Sequence, residues 1–174
     1  MINSADETEK IAKSLQSNNG IYFVPAFTGL GAPYWDSKAR GVLSGLNRNT
    51  GFKEIVRAVL ESSAYQSFDL FNAMKKDGQR PNIIKIDGGM VKNSWFSQFL
   101  SDVLNLRVYR AQIDETTALG AAYMAGLGAG VYKSLQDISK NRKIYKKFNP
   151  KIKNNKRKEL ISGWIQAVRR TLIH

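Results

Sequence analysis

Short runs of β-branched and aromatic residues alternate along this chain with longer segments whose apolar positions recur at helical spacing. Each short run is bounded by turn-forming residues and therefore predicts a strand. These runs lie at residues 21–27, 41–46, 82–87 and 106–113. The longer segments predict helices at residues 4–16, 51–76, 90–104, 115–130 and 157–172. Because strands alternate with helices, we predict an α/β fold with a mainly parallel sheet and helices on its faces.

The longest predicted helix carries two acidic residues on one face. Thr50 is its predicted N-cap, and Glu54 and Glu61 lie seven residues apart, which is two helical turns. Paired carboxylates are one arrangement used in general acid–base catalysis. Glu54, however, lies near the start of the helix, where the helix dipole stabilises an acid. We therefore favour structural roles for both side chains, as we do for the capping-box pair Ser4 and Glu7 of the first helix.

The composition excludes several classes of site. The 174 residues include no cysteine, and the only histidine is the last residue, His174. A disulfide framework, a Cys-ligated metal and imidazole catalysis are therefore not expected, and no metal site is predicted. No apolar run reaches the length of about 18 residues that a spanning helix needs. The polar, acidic first ten residues do not resemble a signal peptide, so a cytoplasmic location is expected.

Positive charge is concentrated late in the chain. The net charge is +13, and residues 133–158 contain eleven Lys or Arg and one acidic residue, Asp137. Such a run can bind nucleic acid or an anionic membrane. It can equally be a solvated surface that connects the core to the last helix. We favour the second interpretation, and nucleic acid is not an expected partner.

Two consecutive glycines stand between a predicted strand and a predicted helix. The segment is IDGGMVKNSWF, in which Gly88 and Gly89 follow Asp87 and Asn93 comes four residues later. A glycine lets a base, a ribose or a phosphate approach the backbone closely, and a helix N-terminus offers N–H groups. The Asn93 amide has the donor and the acceptor that an adenine edge needs. The alternative is a tight strand–helix turn with Asn93 as the N-cap.

Small residues dominate the predicted helix at residues 115–130, where five alanines make small faces. Small faces allow a helix to pack closely against a sheet or another helix, and close packing is the expectation here. Asp114 and Glu115 precede this helix, and they either cap it or hold a loop near the Gly-Gly turn.

Four segments of the chain carry a family resemblance. They are VPAFTGLGAPYWDSKARG, GVLSGLNRNTGFKEIVRAVLESSAYQ, IDGGMVKNSWFSQFLSDVL and ETTALGAAYMAGL. In this order they resemble the carboxy-terminal part of glycerol kinases, in the FGGY carbohydrate kinase family. The second segment fits a family signature at Gly41, Gly45, Glu54, Ala58 and Glu61. The resemblance extends from about residue 19 into the last helix.

The resemblance implies a ribonuclease H-like or actin-like ATPase fold, of which this chain is the second lobe and is incomplete. It implies one domain over residues 1–174, with a core at about 19–132, a basic connection at 133–158 and a final helix at 157–172. Family kinases bind ATP and substrate in the cleft between two lobes. Carried over residue by residue, Gly88, Gly89 and Asn93 are similar to the family's adenosine motif.

The family kinases are much longer than this chain. The catalytic base and the glycerol site are expected in the other lobe, and the ligands of Mg²⁺ are expected outside this chain, so no catalytic residue is assigned here. The resemblance implies a fragment or split subunit of a glycerol kinase that uses ATP to make sn-glycerol 3-phosphate. ATP or ADP, glycerol through the other lobe, and a complementing amino-terminal chain or a homo-oligomer are the expected partners. The alternatives are a fragment of another FGGY sugar or polyol kinase, and a non-catalytic remnant or interaction module.

Overall fold

Helices and short strands alternate in the part of the chain that the computed structural model describes, residues 2, 4–112, 115–140 and 144–172. The strands are β1 (Tyr22–Val24), β2 (Val42–Ser44), β3 (Ile83–Ile86), β4 (Arg107–Ala111) and β5 (Ile144–Phe148). The helices are α1 (Ala5–Ser14), α2 (Phe52–Lys76), α3 (Ser94–Leu104), α4 (Thr116–Gly128), α5 (Leu135–Lys140) and α6 (Asn154–Thr171). A single-turn 3₁₀ helix spans Met90–Lys92 and separates the Gly-Gly turn from α3.

The strands form two separate sheets. Strands β1 and β2 pair antiparallel, with Phe23 opposite Leu43. The other sheet has the order β3-β4-β5, in which β3 and β4 are parallel and β4 and β5 are antiparallel. The prediction of a mainly parallel sheet is therefore wrong outside the β3–β4 pair. The antiparallel partner β5 and helix α5 both lie in the basic run, which was expected to be only a connection.

Aromatic rings make the centre of the core. Trp164 of α6 is completely buried and stacks on Tyr65 of α2, with ring centroids 5.3 Å apart. Phe99 of α3 meets the same tyrosine edge-on at 5.6 Å, and Tyr22 of β1 lies 5.7 Å from it. Such pairs contribute about 0.5–1.5 kcal/mol each beyond the burial of their area. These contacts fix α2, α3, α6 and the β1–β2 strand pair relative to one another.

A buried polar network attaches α1 to α2. The Arg57 Nε donates to Glu61 Oε1 over 2.8 Å, and its Nη1 donates to the backbone carbonyl of Leu15. Asn18 Nδ2 and Tyr65 O–H also donate to Glu61. Burial raises the pKa of Glu61, while the hydrogen bonds from Arg57, Tyr65 and Asn18 act in the opposite direction. The Glu61 carboxylate accepts hydrogen bonds from Arg57, Asn18 and Tyr65 within the core, which is the structural role expected for this side chain.

The helix ends differ from the predictions in detail. Gly51, rather than Thr50, is the N-cap of α2, and Glu54 Oε2 accepts a hydrogen bond from the Gly51 N–H over 3.0 Å. Glu54 therefore has the structural role that was expected. Ser4 is the N-cap of α1, but its side chain makes no capping hydrogen bond.

The expectation of close packing fails for α4, because none of its residues is buried against the described part of the chain. Of the helices that the structure describes, none is both long and apolar enough to cross a membrane.

Candidate functional site

The Gly-Gly turn lies at the edge of the sheet where two parallel strands end. Strand β3 ends at Ile86, and Asp87, Gly88 and Gly89 follow it directly. Strand β4 runs parallel to β3, so its carboxyl end lies at the same edge. In open α/β sheets, ligands bind beyond the carboxyl ends of the strands. The structure therefore places the predicted glycines at an edge that is suited to a ligand.

The two glycines have different backbone conformations. Gly88 has φ +88°, a left-handed conformation that disfavours any residue with a Cβ. Gly89 has φ −63° and ψ −43°, which is ordinary right-handed helical backbone. A Cβ atom built on either glycine meets no atom within 4 Å. The turn thus explains a glycine at position 88, but neither backbone conformation nor packing of the described residues explains one at position 89.

Asn93 is the N-cap of α3, as the alternative interpretation of this segment states. Its Oδ1 accepts a hydrogen bond from the Phe96 N–H over 2.9 Å. Its Nδ2 lies 3.4 Å from Thr8 Oγ1, a long contact. The acceptor of the amide is therefore in use, whereas an amide nitrogen has two N–H bonds to donate. Asn93 can cap the helix and still donate a hydrogen bond to a ligand.

The N-terminus of α3 is less open than the sequence predicts. The Ser94 N–H donates to Glu9 Oε2 of α1 over 3.3 Å, and the Phe96 N–H donates to Asn93. Burial would raise the pKa of Glu9, but the hydrogen bonds from Lys13 and from the Ser94 N–H outweigh it and hold the pKa below its usual value. These two N–H groups are not available to a phosphate, so the expectation that α3 presents them to a ligand is wrong.

Helix α4 begins beside the Gly-Gly turn. The Thr116 hydroxyl donates a hydrogen bond to Asp87 Oδ2. The sequence suggested that acids at the start of this helix hold the turn, but the contact comes from the threonine to an acid of the turn itself. Glu115 occupies the N-cap position without a side-chain capping bond, and Asp114 lies outside the described residues.

A polar pocket of about 240 Å³ lies beside the 3₁₀ helix that follows this turn, with Lys92, Arg110 and Tyr145 among its lining residues. Arg110 Nη1 donates to the carbonyls of Val91 and Lys92 over 2.8 and 3.0 Å, and its guanidinium lies 4.6 Å from the centre of the Tyr145 ring. Arg110 of β4 thus anchors the 3₁₀ helix through two of its backbone carbonyls. In the sequence Arg110 is one basic residue of an alternating strand, so no motif marks it.

No three or more His, Cys, Asp or Glu side chains within the described ranges form a group that could hold a metal ion.

Comparison with known sequences identifies a family. Residues 2–129 match the model of the FGGY family of carbohydrate kinases, C-terminal domain. The chain is 52% identical over 170 residues to glycerol kinase 1 of Pseudomonas aeruginosa, a match that covers 98% of this chain and 34% of the relative. It is also 52% identical over 171 residues to the glycerol kinase of Alcanivorax borkumensis, with the same coverage. The chain therefore spans about a third of the length of these curated relatives.

Comparison with solved structures agrees with the sequence matches. The crystal structure of Plasmodium falciparum glycerol kinase with ADP superimposes with a TM-score of 0.89 at 39% identity, covering 99% of this chain and 35% of that chain. A ligand-bound xylulose kinase from Lactobacillus acidophilus gives a TM-score of 0.81 at 24% identity, which is evidence for the fold alone. The expected fold class, that of an actin-like ATPase lobe, is confirmed.

Proposed function

The chain belongs to the FGGY family of carbohydrate kinases, and we propose that it forms part of the adenine-nucleotide site of a glycerol kinase. The whole enzyme would transfer the γ-phosphoryl group of ATP to glycerol and release sn-glycerol 3-phosphate. The sequence match to glycerol kinases over 98% of the chain supports this choice. Since the chain spans about a third of those relatives, the activity belongs to a larger assembly.

The observation that carries the proposal is Gly89. Gly89 is the N-cap of the single-turn 3₁₀ helix, with φ −63° and ψ −43°, a backbone that alanine also adopts, and with open space where a Cβ would lie. Neither this backbone conformation nor the packing of the described residues requires the missing Cβ. A nucleoside that lies against the backbone at this turn gains close approach from it.

The three residues would have distinct roles toward the nucleotide. Gly88 shapes the turn through its left-handed backbone. Gly89 leaves room for the nucleoside. Asn93 would donate through Nδ2, because its Oδ1 already accepts from the Phe96 N–H. The Asn93 Nδ2 donor needs an acceptor on the ligand, and the ring nitrogens of adenine are acceptors.

The chemical step is assigned outside this chain. Bound Mg-ATP supplies the phosphoryl group, and phosphoryl transfer needs metal ligands, a positioned hydroxyl and a base. Glu54 and Glu61, the two acids first considered for acid–base chemistry, are both committed to structural hydrogen bonds. We therefore assign no catalytic residue to the chain and expect the Mg²⁺ ligands, the base and the glycerol site in a complementing lobe.

The rest of the proposal concerns organisation. We treat residues 1–174 as one domain whose complementing lobe is part of the same assembly, either in a longer chain or in a separate one, and a homo-oligomer is compatible with it. Use of ATP favours a cytoplasmic location. Another FGGY sugar kinase is the alternative, but the likeness to xylulose kinases at 24% identity or below is evidence for the fold alone and does not favour it.

The test is a chimera in which this chain replaces the matched region of the Pseudomonas aeruginosa glycerol kinase. Asn93→Ser keeps an N-cap acceptor but removes the amide donor, and Asn72→Ser on the exposed face of α2 is the matched control. Loss of one neutral hydrogen bond should weaken Mg-ATP binding about 3- to 10-fold, measured by isothermal titration.

The chimera is expected to make glycerol 3-phosphate, and the isolated chain is expected to show no glycerol-dependent ADP production. A chimera that folds but binds Mg-ATP equally well with and without the Asn93 amide contradicts the proposed role of this residue. A folded chimera that does not bind Mg-ATP contradicts the proposed function as a whole.

A further inference from the structure

The segment between Gly89 and Asn93 sets the distance between the two predicted nucleotide contacts. It is the single-turn 3₁₀ helix Met90–Lys92. Its own backbone hydrogen bonds, from the Lys92 N–H to Gly89 and from the Asn93 N–H to Met90, are both 3.2 Å long. A single turn has poor hydrogen-bond geometry and too few bonds to offset the cost of forming it. Its shape therefore depends on contacts from elsewhere in the chain.

Arg110 of β4 reaches the backbone of this turn. It lies opposite Ile86, the last residue of β3 before the Gly-Gly turn, in the parallel pair. Its Nη1 donates to the carbonyls of Val91 and Lys92 over 2.8 and 3.0 Å. Among the side chains that the structure describes, Ser97 also donates to Val91, but only Arg110 donates to Lys92. Arg110 thus ties the last residue of the turn to the sheet.

The partners of the Arg110 guanidinium are backbone and ring, and no carboxylate. In the described parts of the chain, Arg110 makes no ion pair. Its charge faces the two carbonyl dipoles and the ring of Tyr145, whose centre lies 4.6 Å from the guanidinium carbon. A cation within about 6 Å of a ring centre is attracted to the ring. Tyr145 belongs to β5, so the basic run supplies the side chain that orients Arg110.

We propose that Arg110, oriented by Tyr145, is a positioning residue for the adenine nucleotide. It holds the 3₁₀ turn in the conformation in which Gly89 and the Asn93 Nδ2 face the same ligand, and it does not itself touch the nucleotide. This inference rests on the proposed function. Without the anchor the turn samples other conformations, and the apparent affinity falls with the fraction of molecules that stay competent to bind.

The first test is isothermal titration of Mg-ATP into Arg110 variants of the chimera described above. If about one molecule in ten keeps the competent turn, Arg110→Ala weakens binding about tenfold. Arg110→Lys should weaken it too, because a compact ammonium group lacks the planar fork of the guanidinium. Arg107→Ala, at an exposed position of the same strand, is the matched control. Parent-like affinity of Arg110→Ala, or equal losses for Arg110→Ala and Arg107→Ala, overturns the proposal.

Steady-state kinetics of the chimera distinguish positioning from a general loss of stability. Arg110→Ala should raise the KM for ATP, while the KM for glycerol and the kcat at saturating ATP change little, because the turn lies at the proposed nucleotide site. A variant that is only less stable has less active protein, so its apparent kcat falls while both KM values stay the same. That second pattern overturns the proposal.

Coupling between Arg110 and Asn93 is an independent readout. If Arg110 acts by positioning the Asn93 amide, Asn93→Ser should weaken Mg-ATP binding less in the Arg110→Ala background than in the parent. Losses that simply multiply overturn the proposal. Tyr145→Leu should also weaken binding, whereas Tyr145→Phe keeps a ring under the guanidinium and should not. Equal affinity of these two variants overturns the role given to Tyr145.

The outcomes separate this inference from the proposed function. Mg-ATP binding that depends on the Asn93 amide but not on Arg110 leaves the proposed function intact and overturns the inference. A folded chimera that does not bind Mg-ATP contradicts both. Hydrogen–deuterium exchange of the isolated chain tests the anchor without nucleotide. The amides of Lys92 and Asn93 should exchange faster in Arg110→Ala than in Arg107→Ala, and equal exchange overturns the inference.

Discussion

Alanine substitutions at the two adjacent glycines should change the stability of the chain in opposite directions. Gly88 has φ +88°, and an alanine forced into left-handed backbone costs about 1–2 kcal/mol. Gly89 has φ −63° and ψ −43°, and a Cβ there meets no atom within 4 Å. Alanine at a compatible glycine position stabilises a protein by about 0.4–1 kcal/mol, because the unfolded chain loses conformational freedom. The two variants should therefore differ by about 2 kcal/mol.

Urea unfolding of the isolated chain, followed by tryptophan fluorescence, measures this difference. Trp164 is completely buried and stacked on Tyr65, so its emission reports loss of the core. With a urea m-value of about 2 kcal/mol per molar, the unfolding midpoints of Gly88→Ala and Gly89→Ala should be about 1 M apart.

Two other glycines provide matched controls. Gly78 has φ +87° and open space at its Cβ position, so Gly78→Ala should resemble Gly88→Ala. Gly120 of α4 also has open space, and Gly120→Ala should resemble Gly89→Ala. If Gly89→Ala instead destabilises the chain as much as Gly88→Ala does, then the fold itself requires Gly89, and the argument from this residue to a ligand fails.

Three further substitutions test the core and its charges. Glu61→Ala leaves the Arg57 guanidinium buried without its carboxylate partner, so the free energy of unfolding should fall by about 3–5 kcal/mol in urea titrations; a loss below 1 kcal/mol would contradict the network. Gly163→Ala places a Cβ 2.3 Å from the Tyr22 ring, so it should lower the thermal midpoint and shift the near-ultraviolet circular dichroism of the tyrosines, and an unchanged spectrum would contradict the close contact. Burial raises the pKa of Asp69 above its ordinary value of 3.8, so the folded state holds this proton more tightly than the unfolded state and stability falls as pH rises above about 4. Asp69→Asn should make that fall shallower in unfolding midpoints measured from pH 4 to 7, and an unchanged slope would contradict the shift.

Local patterns were sufficient to predict most elements around the site. The β-branched run before Asp87 predicts β3, and the adjacent glycines predict a turn that the structure places at the sheet edge. The spacing of Asn93 after the glycines left two alternatives, an N-cap and a ligand contact. The structure assigns Oδ1 to the first role, while the role of Nδ2 toward a ligand stays a prediction.

Contacts between distant parts of the chain could not be predicted. The Ser94 N–H donates to Glu9, which lies 85 residues earlier in the sequence. No local pattern at α3 therefore reveals that its N-terminus is covered. Strand β5 pairs with β4 although its segment IYKKF is rich in lysine. Lysines on an edge strand protect it from pairing with other chains. Such a strand therefore has the same lysine-rich composition as a charged surface connection, and the sequence does not distinguish the two.

The exposure of α4 has a similar cause. Small apolar residues predict that a helix is packed closely, but the pattern does not say whether the partner lies within the same stretch of sequence. Here α4 has none of its residues buried by the described part of the chain. The close packing that the small residues predict is therefore not supplied by the described residues.

The most direct test of the nucleotide site is a calorimetric titration of Mg-ATP into the chimera and into its Gly89→Ala variant. If Gly89 lets the nucleoside lie against the backbone, the added methyl group should weaken Mg-ATP binding while the variant remains at least as stable as its parent. Equal affinity in the two proteins would show that no nucleotide approaches Gly89, and would contradict the proposed function of this chain.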